Sequence, residues 1–147
     1  MGARLLVRTI RDYVAGSITP TPQPETGSSC APKIKKLDGR IAWTDPAPAI
    51  WNRVRALIPW PGAFTFLPSR PQPLLLKVWQ AQVLEASGPP GQVLQAGKTG
   101  LVIACGQQAL RVLSLQREGG RRLSAQEFLA GHALQPGQTV LGLGPQN

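Results

Sequence analysis

The sequence predicts a mainly β protein, a small barrel or sandwich with short helices, set behind an N-terminal helix and an extended linker. Three observations predict it. Short Val- and Leu-rich runs fill the second half: LLLKVWQAQVLE, QVLQA, GLVIAC, ALRVLSLQ and TVLGL. The segments SGPPG, AGKTG, CGQQ and PGQ punctuate them with turn residues. Ahead of them, one apolar helical stripe gives way to SITPTPQPETGSSCAPK, whose four prolines deny it a core of its own.

Taken in order, ARLLVRTIRDYVA (residues 3–15) places Leu6, Ile10, Tyr13 and Val14 near one helical face, and Gly16 can stop the helix. That stripe has no evident partner in the chain and reads as the last helix of another domain. Residues 1–16 are therefore set apart, 17–40 form a basic, proline-rich linker, and 41–147 form the β domain. Thr44 or Asp45 can cap a helix with Pro46 in its first turn, with Ile50, Val54 and Leu57 as its buried stripe and Pro59 and Pro61 beyond its end. The β runs follow. Ser124 and Glu127 in SAQE form a capping box for one more helix, which Gly131 can close.

The totals narrow the function classes. A chain of 147 residues holds one real core, and its 15 prolines and 16 glycines imply many turns. Sixteen Lys and Arg against seven Asp and Glu give a net charge of +9, which favours an anionic partner, whether nucleic acid or a membrane surface. Two cysteines without CxxC spacing and a single histidine argue against a metal site. They fit a reduced, cytoplasmic setting better than a disulfide framework. No apolar run is long enough to span a membrane, no signal-peptide core is present, and Leu6 stands where a myristoylation signal needs Ser or Thr.

Catalytic constellations are missing. The seven carboxylates are scattered, and there is no GxSxG or GxGxxG. GQVLQAGKT has one residue too many between its glycines for a phosphate loop and reads as strand and turn. His132 has no sequence-local partner and reads as structural or solvated. Cys105 ends an apolar run as a small hydrophobe, and Cys30 lies in the linker. The cations form three clusters: Lys33, Lys35, Lys36 and Arg40 in the linker, Arg53 and Arg55 on the next helix, and Arg117, Arg121 and Arg122 in a late loop. Each alone reads as a solvated face. Together, flanking one small barrel, they read as a phosphate-binding surface. Trp43, Trp60 and Trp79 sit in apolar contexts that suit a core, and Trp51 is undecided.

APKIKKLDGRIAW, IPWPGAFTFL, KVWQAQVL, GLVIACGQQALRVLSLQ and RRLSAQEFLAGHALQPG, in that order, resemble the C-terminal part of bacterial methionyl-tRNA formyltransferases. GARLLVRTI and TPTPQPET resemble the end of that family's catalytic domain and the start of its linker. The resemblance implies an OB-like barrel that holds initiator methionyl-tRNA. It also implies an N-terminal domain, absent from this chain, that transfers the formyl group of 10-formyltetrahydrofolate. No catalytic residue carries over, so this chain alone is expected to be inactive, without a cofactor or metal of its own. Lys33, Lys36 and Arg40 match basic linker positions of the family. Lys35 stands where the family often has Ser or Thr, Cys30 where it often has Tyr, Ala42 where it often has Asp, and Ile58 where Asn is frequent. Lys35, Arg53, Arg55, Arg121 and Arg122 complete the expected RNA-binding set. The alternatives are another formyltransferase-family enzyme, a free-standing RNA-binding module, or a purely structural barrel.

Overall fold

A computed structural model describes residues 2–142. It divides into two units, Met1–Lys33 and Ile34–Asn147. In the first, helix α1 spans Gly2–Val14 and buries none of its side chains. Gly16 ends it in the left-handed region at φ +69°, where a Cβ would be strained. Ser17 then returns its amide and hydroxyl to the Asp12 carbonyl, at 2.9 and 2.8 Å. Residues 17–33 are exposed throughout and form no helix or strand.

The second unit opens with a 3-10 helix, Lys36–Gly39, followed by helix α2, Ala47–Ala56. Six strands follow: β1 Ala63–Leu67, β2 Leu74–Leu84, β3 Val93–Gly97, β4 Gly100–Ala104, β5 Ala109–Arg117 and β6 Arg122–Ser124. Helix α3, Ala125–Gly131, comes last. The strands form one antiparallel sheet in the order β1-β2-β5-β4-β3, with β6 on β5. The mainly β expectation is met. The ladder itself is open, and isolated bridges tie both edges to the segment after α3: Phe66 to Gly142, and Gln92 to Val140. TVLGL is thus represented by bridges rather than a strand, and its Leu143 lies outside the described residues.

Alternation explains the core. Leu76 and Val78 of β2, Val112 and Leu115 of β5, and Ile50 and Val54 of α2 point inward and are almost fully buried. Phe128 of α3 is equally buried. The α2 stripe is as the spacing implies, but its cap is not. Pro46 occupies the N-cap position and no side chain caps the helix, because the Asp45 carboxylate turns to Arg53 at 3.7 Å. The α3 capping box forms as read, with the Ser124 hydroxyl accepting from the Glu127 amide and the Glu127 carboxylate accepting from the Ser124 amide. GQVLQAGKT is a strand and hairpin turn.

Two tryptophans depart from the sequence reading. Trp43 is core at 4% exposure, but Trp60 is 60% exposed. Flanking prolines hold it in the loop between α2 and β1, where the sheet does not reach. Trp79 faces away from the core, because Leu76 and Val78 take the inward positions of β2.

Candidate functional site

The outer face of β1, β2, β5 and β6 carries one transverse row of side chains. Phe64 is paired with Lys77, Lys77 with Gln116, and Gln116 with Arg122. Residues opposite one another in an antiparallel ladder share a face, so these four project together. Arg40 joins the row's end through its bridge to Phe64. Beside the row lies a cavity lined by Lys36, Phe64, Leu75, Lys77, Arg117 and Glu118, among others. Its lining combines apolar and aromatic residues with three cations and one carboxylate.

Lys36 reaches this cavity because its turn is docked. Gly39 is buried, and its missing Cβ leaves room for the Gly62 carbonyl against it. The Ile41 amide donates to the Phe64 carbonyl at 2.8 Å, fixing the exit from the turn. Asp38 steadies the entry by accepting from the Lys35 amide at 2.7 Å. The last part of the basic run is therefore seated on the sheet, which its proline-rich context did not indicate.

Trp79 and Arg122 extend the face. The Arg122 guanidinium lies 4.0 Å over the Trp79 ring, a cation–π arrangement, and Arg122 is exposed. Trp79 is held in turn by Gln116, whose Oε1 accepts from the indole at 2.9 Å while its Nε2 donates to the Gly120 carbonyl at 2.6 Å. Lys77 and Trp79 complete this surface without having been expected there, and Arg117, one of the late cation cluster, lines the cavity although the expected RNA-binding set left it out. Lys77 and Trp79 had a readable signal: with Leu76 and Val78 inward, residues 77 and 79 must face out.

The expected cations fare unequally. Lys35 and Lys36 are exposed, and Arg122 joins Lys36 on the outer face. Lys33 is exposed in the other unit. Arg40 is half-buried, its Nε and Nη2 shielded and without a protein acceptor, while its carbonyl accepts from Arg53 Nη1 at 3.2 Å. Arg53 divides itself between that carbonyl and Asp45. Arg55 stacks 4.0 Å from the Trp51 ring, whose indole donates to the Ala81 carbonyl, so this pair lies beyond the β2 bulge from Lys77. Arg121 pairs with Glu127 at 3.2 Å. Hydrogen bonds from the Ser124 amide and hydroxyl side, then from Arg121, hold the Glu127 carboxyl below its ordinary range.

No acid–base chemistry gathers here. His132 stacks on Phe128 at 4.3 Å, with Nδ1 3.2 Å from the Phe128 carbonyl. Burial pushes the Cys105 thiol up to about 11, so it stays protonated, and Cys30 is an exposed free thiol. Among the described residues, no three His, Cys, Asp or Glu side chains gather as metal ligands, and no helix is long and apolar enough to cross a membrane.

Residues 33–133 match the family described as formyl transferase, C-terminal domain. The chain belongs to that family. Among curated relatives, the methionyl-tRNA formyltransferase of Citrifermentans bemidjiense is 44% identical over 137 residues, covering 93% of this chain and 42% of its own length. That of Myxococcus xanthus is also 44% identical, over 93% of this chain and 43% of its own length. This formyl transferase C-terminal domain thus spans less than half the length of these relatives. In fold it is similar to HypX from Aquifex aeolicus, solved in complex with tetrahydrofolic acid, with a TM-score of 0.55 and 21% identity over 84% of this chain and 22% of HypX.

Proposed function

We propose that this chain is the C-terminal portion of a methionyl-tRNA formyltransferase and that it holds initiator methionyl-tRNA while an N-terminal domain performs the chemistry. The carrying observation is the gathering of Lys36, Lys77 and Arg122, distant in sequence, around one outer sheet face with aromatic side chains beside them, and of Arg117, from the end of β5, in the lining of the same cavity. Positioning a polyanion requires this: cations for phosphates and planar groups for bases, with no nucleophile. The identity to methionyl-tRNA formyltransferases supports tRNA as the polyanion.

In this reading residues 1–16 end a catalytic domain, 17–40 form the linker, and 41–147 form an OB-like barrel whose open ladder is completed by the bridged segment. Lys33, Lys35, Lys36, Arg40, Arg53, Arg55, Arg121 and Arg122 contribute to the tRNA surface. The parent enzyme would draw its formyl group from 10-formyltetrahydrofolate in the cytoplasm. The test is binding of labelled initiator tRNA by fluorescence anisotropy across a fourfold salt range. Each neutralised phosphate contributes a slope of roughly −0.7 to −0.9, so affinity should fall about threefold per contact. Binding without salt dependence, or no binding at low salt, refutes the reading. With 10-formyltetrahydrofolate and charged tRNA, the chain alone should leave methionine unformylated.

A further inference from the structure

We propose that the cavity bounded by Lys36, Lys77 and Arg117 grips a single RNA phosphodiester, with the adjoining Arg122–Trp79 stack as the platform for the neighbouring base. The inference rests on the RNA-binding reading above and assigns its fixed point of contact.

Three features favour one phosphate over a diffuse patch. The cations come from three separate elements, the 3-10 helix, β2 and β5, yet border one cavity. Lys77 projects from the middle of the sheet, Arg117 from the end of β5, and Lys36 from a turn seated by buried Gly39. Glu118 at the same rim offsets one of the three positive charges and disfavours a second anion. The apolar part of the lining, Phe64, Leu75 and Pro61, suits a ribose or base edge and offers nothing to a hydrated inorganic ion.

The base platform follows from the register. Arg122 is two strands from Lys77 in the same row, or about 10 Å at the spacing of adjacent strands. That is about the reach of one nucleotide. Placed 4.0 Å over Trp79, the exposed Arg122 guanidinium brings a planar cation beside an aromatic ring, a pair on which a base can stack without sequence preference.

The salt slope separates one phosphate from several. Counterion release counts phosphates, not cations. Lys36→Ala, Lys77→Ala and Arg117→Ala combined should weaken tRNA binding about tenfold at low salt and flatten the slope by about one unit. A loss of two to three units would mean separate phosphates and overturn the single grip. An unchanged affinity and slope in the variant, with the wild-type chain still binding tRNA, overturns the cavity while leaving the RNA-binding reading intact. Failure of the wild-type chain to bind overturns both. Lys98→Ala, which removes one charge elsewhere, should leave binding within about twofold. Should the triple variant misfold, amide NMR on the wild-type chain decides. Lys77, Gln116 and Arg117 signals should move with a short single-stranded RNA and stay still with inorganic phosphate at equal ionic strength. Equal movement with both would assign the cavity to free phosphate instead.

Discussion

Gly39→Ala adds one methyl group and removes no charge, so it tests whether the docked turn matters. A Cβ at position 39 would overlap the Gly62 carbonyl oxygen and lie 3.3 Å from its carbon and 3.2 Å from Phe64 Cδ1. None of these neighbours yields easily. Gly62 is committed by its amide to the Leu57 carbonyl at 2.9 Å, and Phe64 is buried and paired with Lys77. The overlap must therefore be relieved by lifting the 3-10 helix, loosening the 2.8 Å bond from Ile41 to Phe64 and the bond from Arg53 to the Arg40 carbonyl. Overpacking of this kind costs about 1–3 kcal/mol. At roughly 4 °C per kcal/mol for a chain of this size, thermal unfolding should fall by about 4–12 °C. With Lys36 displaced, tRNA affinity at low salt should drop several-fold at constant net charge. A melting temperature within about a degree of wild type would show that the close approach is soft. Lower stability with undiminished affinity would show that RNA binding does not use the docked position.

Lys36→Ala should weaken tRNA binding more than Lys33→Ala, because only Lys36 is held on a packed turn; equal losses in anisotropy titrations would contradict this. Cys30 should react with a thiol reagent at pH 8 in the native chain while Cys105 reacts only after unfolding, since Cys105 is buried and its thiol lies at about 11. Two fast equivalents would disprove that burial. Ser124→Ala should cost about 1 kcal/mol by removing the α3 cap, read as a lower unfolding midpoint in urea. Because the folded Glu127 pKa is depressed below 4.5, its contribution is present above that value and fades as pH falls through the folded one. Glu127→Gln should therefore flatten acid unfolding, and an unaltered acid profile would count against the capping role. Amides of α1 should exchange fast relative to Gly100–Ala104, because α1 buries no side chain and a 13-residue helix is marginal alone. Matching protection would mean that the helix is covered in solution.

The long strands were legible because their chemistry is local. Short Val- and Leu-rich runs such as LLLKVWQAQVLE, and the turn residues between them, mark β2 through β5 without reference to partners. Strand β1 was not, because AFTFL is buried on nearly every residue and shows no period of two. Strand β6 is three residues long, and nothing in RLS separates it from a loop before β5 is in place. The same distinction governs the site. Lys36 and Arg122 stood out as members of charge clusters, whereas Lys77 is a single cation inside KVWQ and gains meaning only from the strand register. Trp79 looked like core because its sequence neighbours are apolar, and it is the strand's geometry that turns it outward.

Charge alone therefore does not rank the cations of this chain. Lys33 and Lys36 are three residues apart, equally charged and equally exposed, yet they lie in different regimes. Ordering a free backbone costs about 1–2 kcal/mol per residue, and the segment before Ile34 would have to meet that cost when it lies along a ligand. The turn from Lys36 to Gly39 has met it on folding, through a buried glycine, a sheet hydrogen bond and the Asp38 carboxylate. The same holds for Arg122, whose guanidinium is already placed over Trp79, but not for Arg121, which must give up Glu127 to reach outward. A surface of this kind sorts its cations by how much order each brings to the encounter. In the proposed reading the cations on ordered elements, Lys36, Lys77, Arg117 and Arg122, would fix where a nucleic acid sits, and the remainder would govern how fast it arrives.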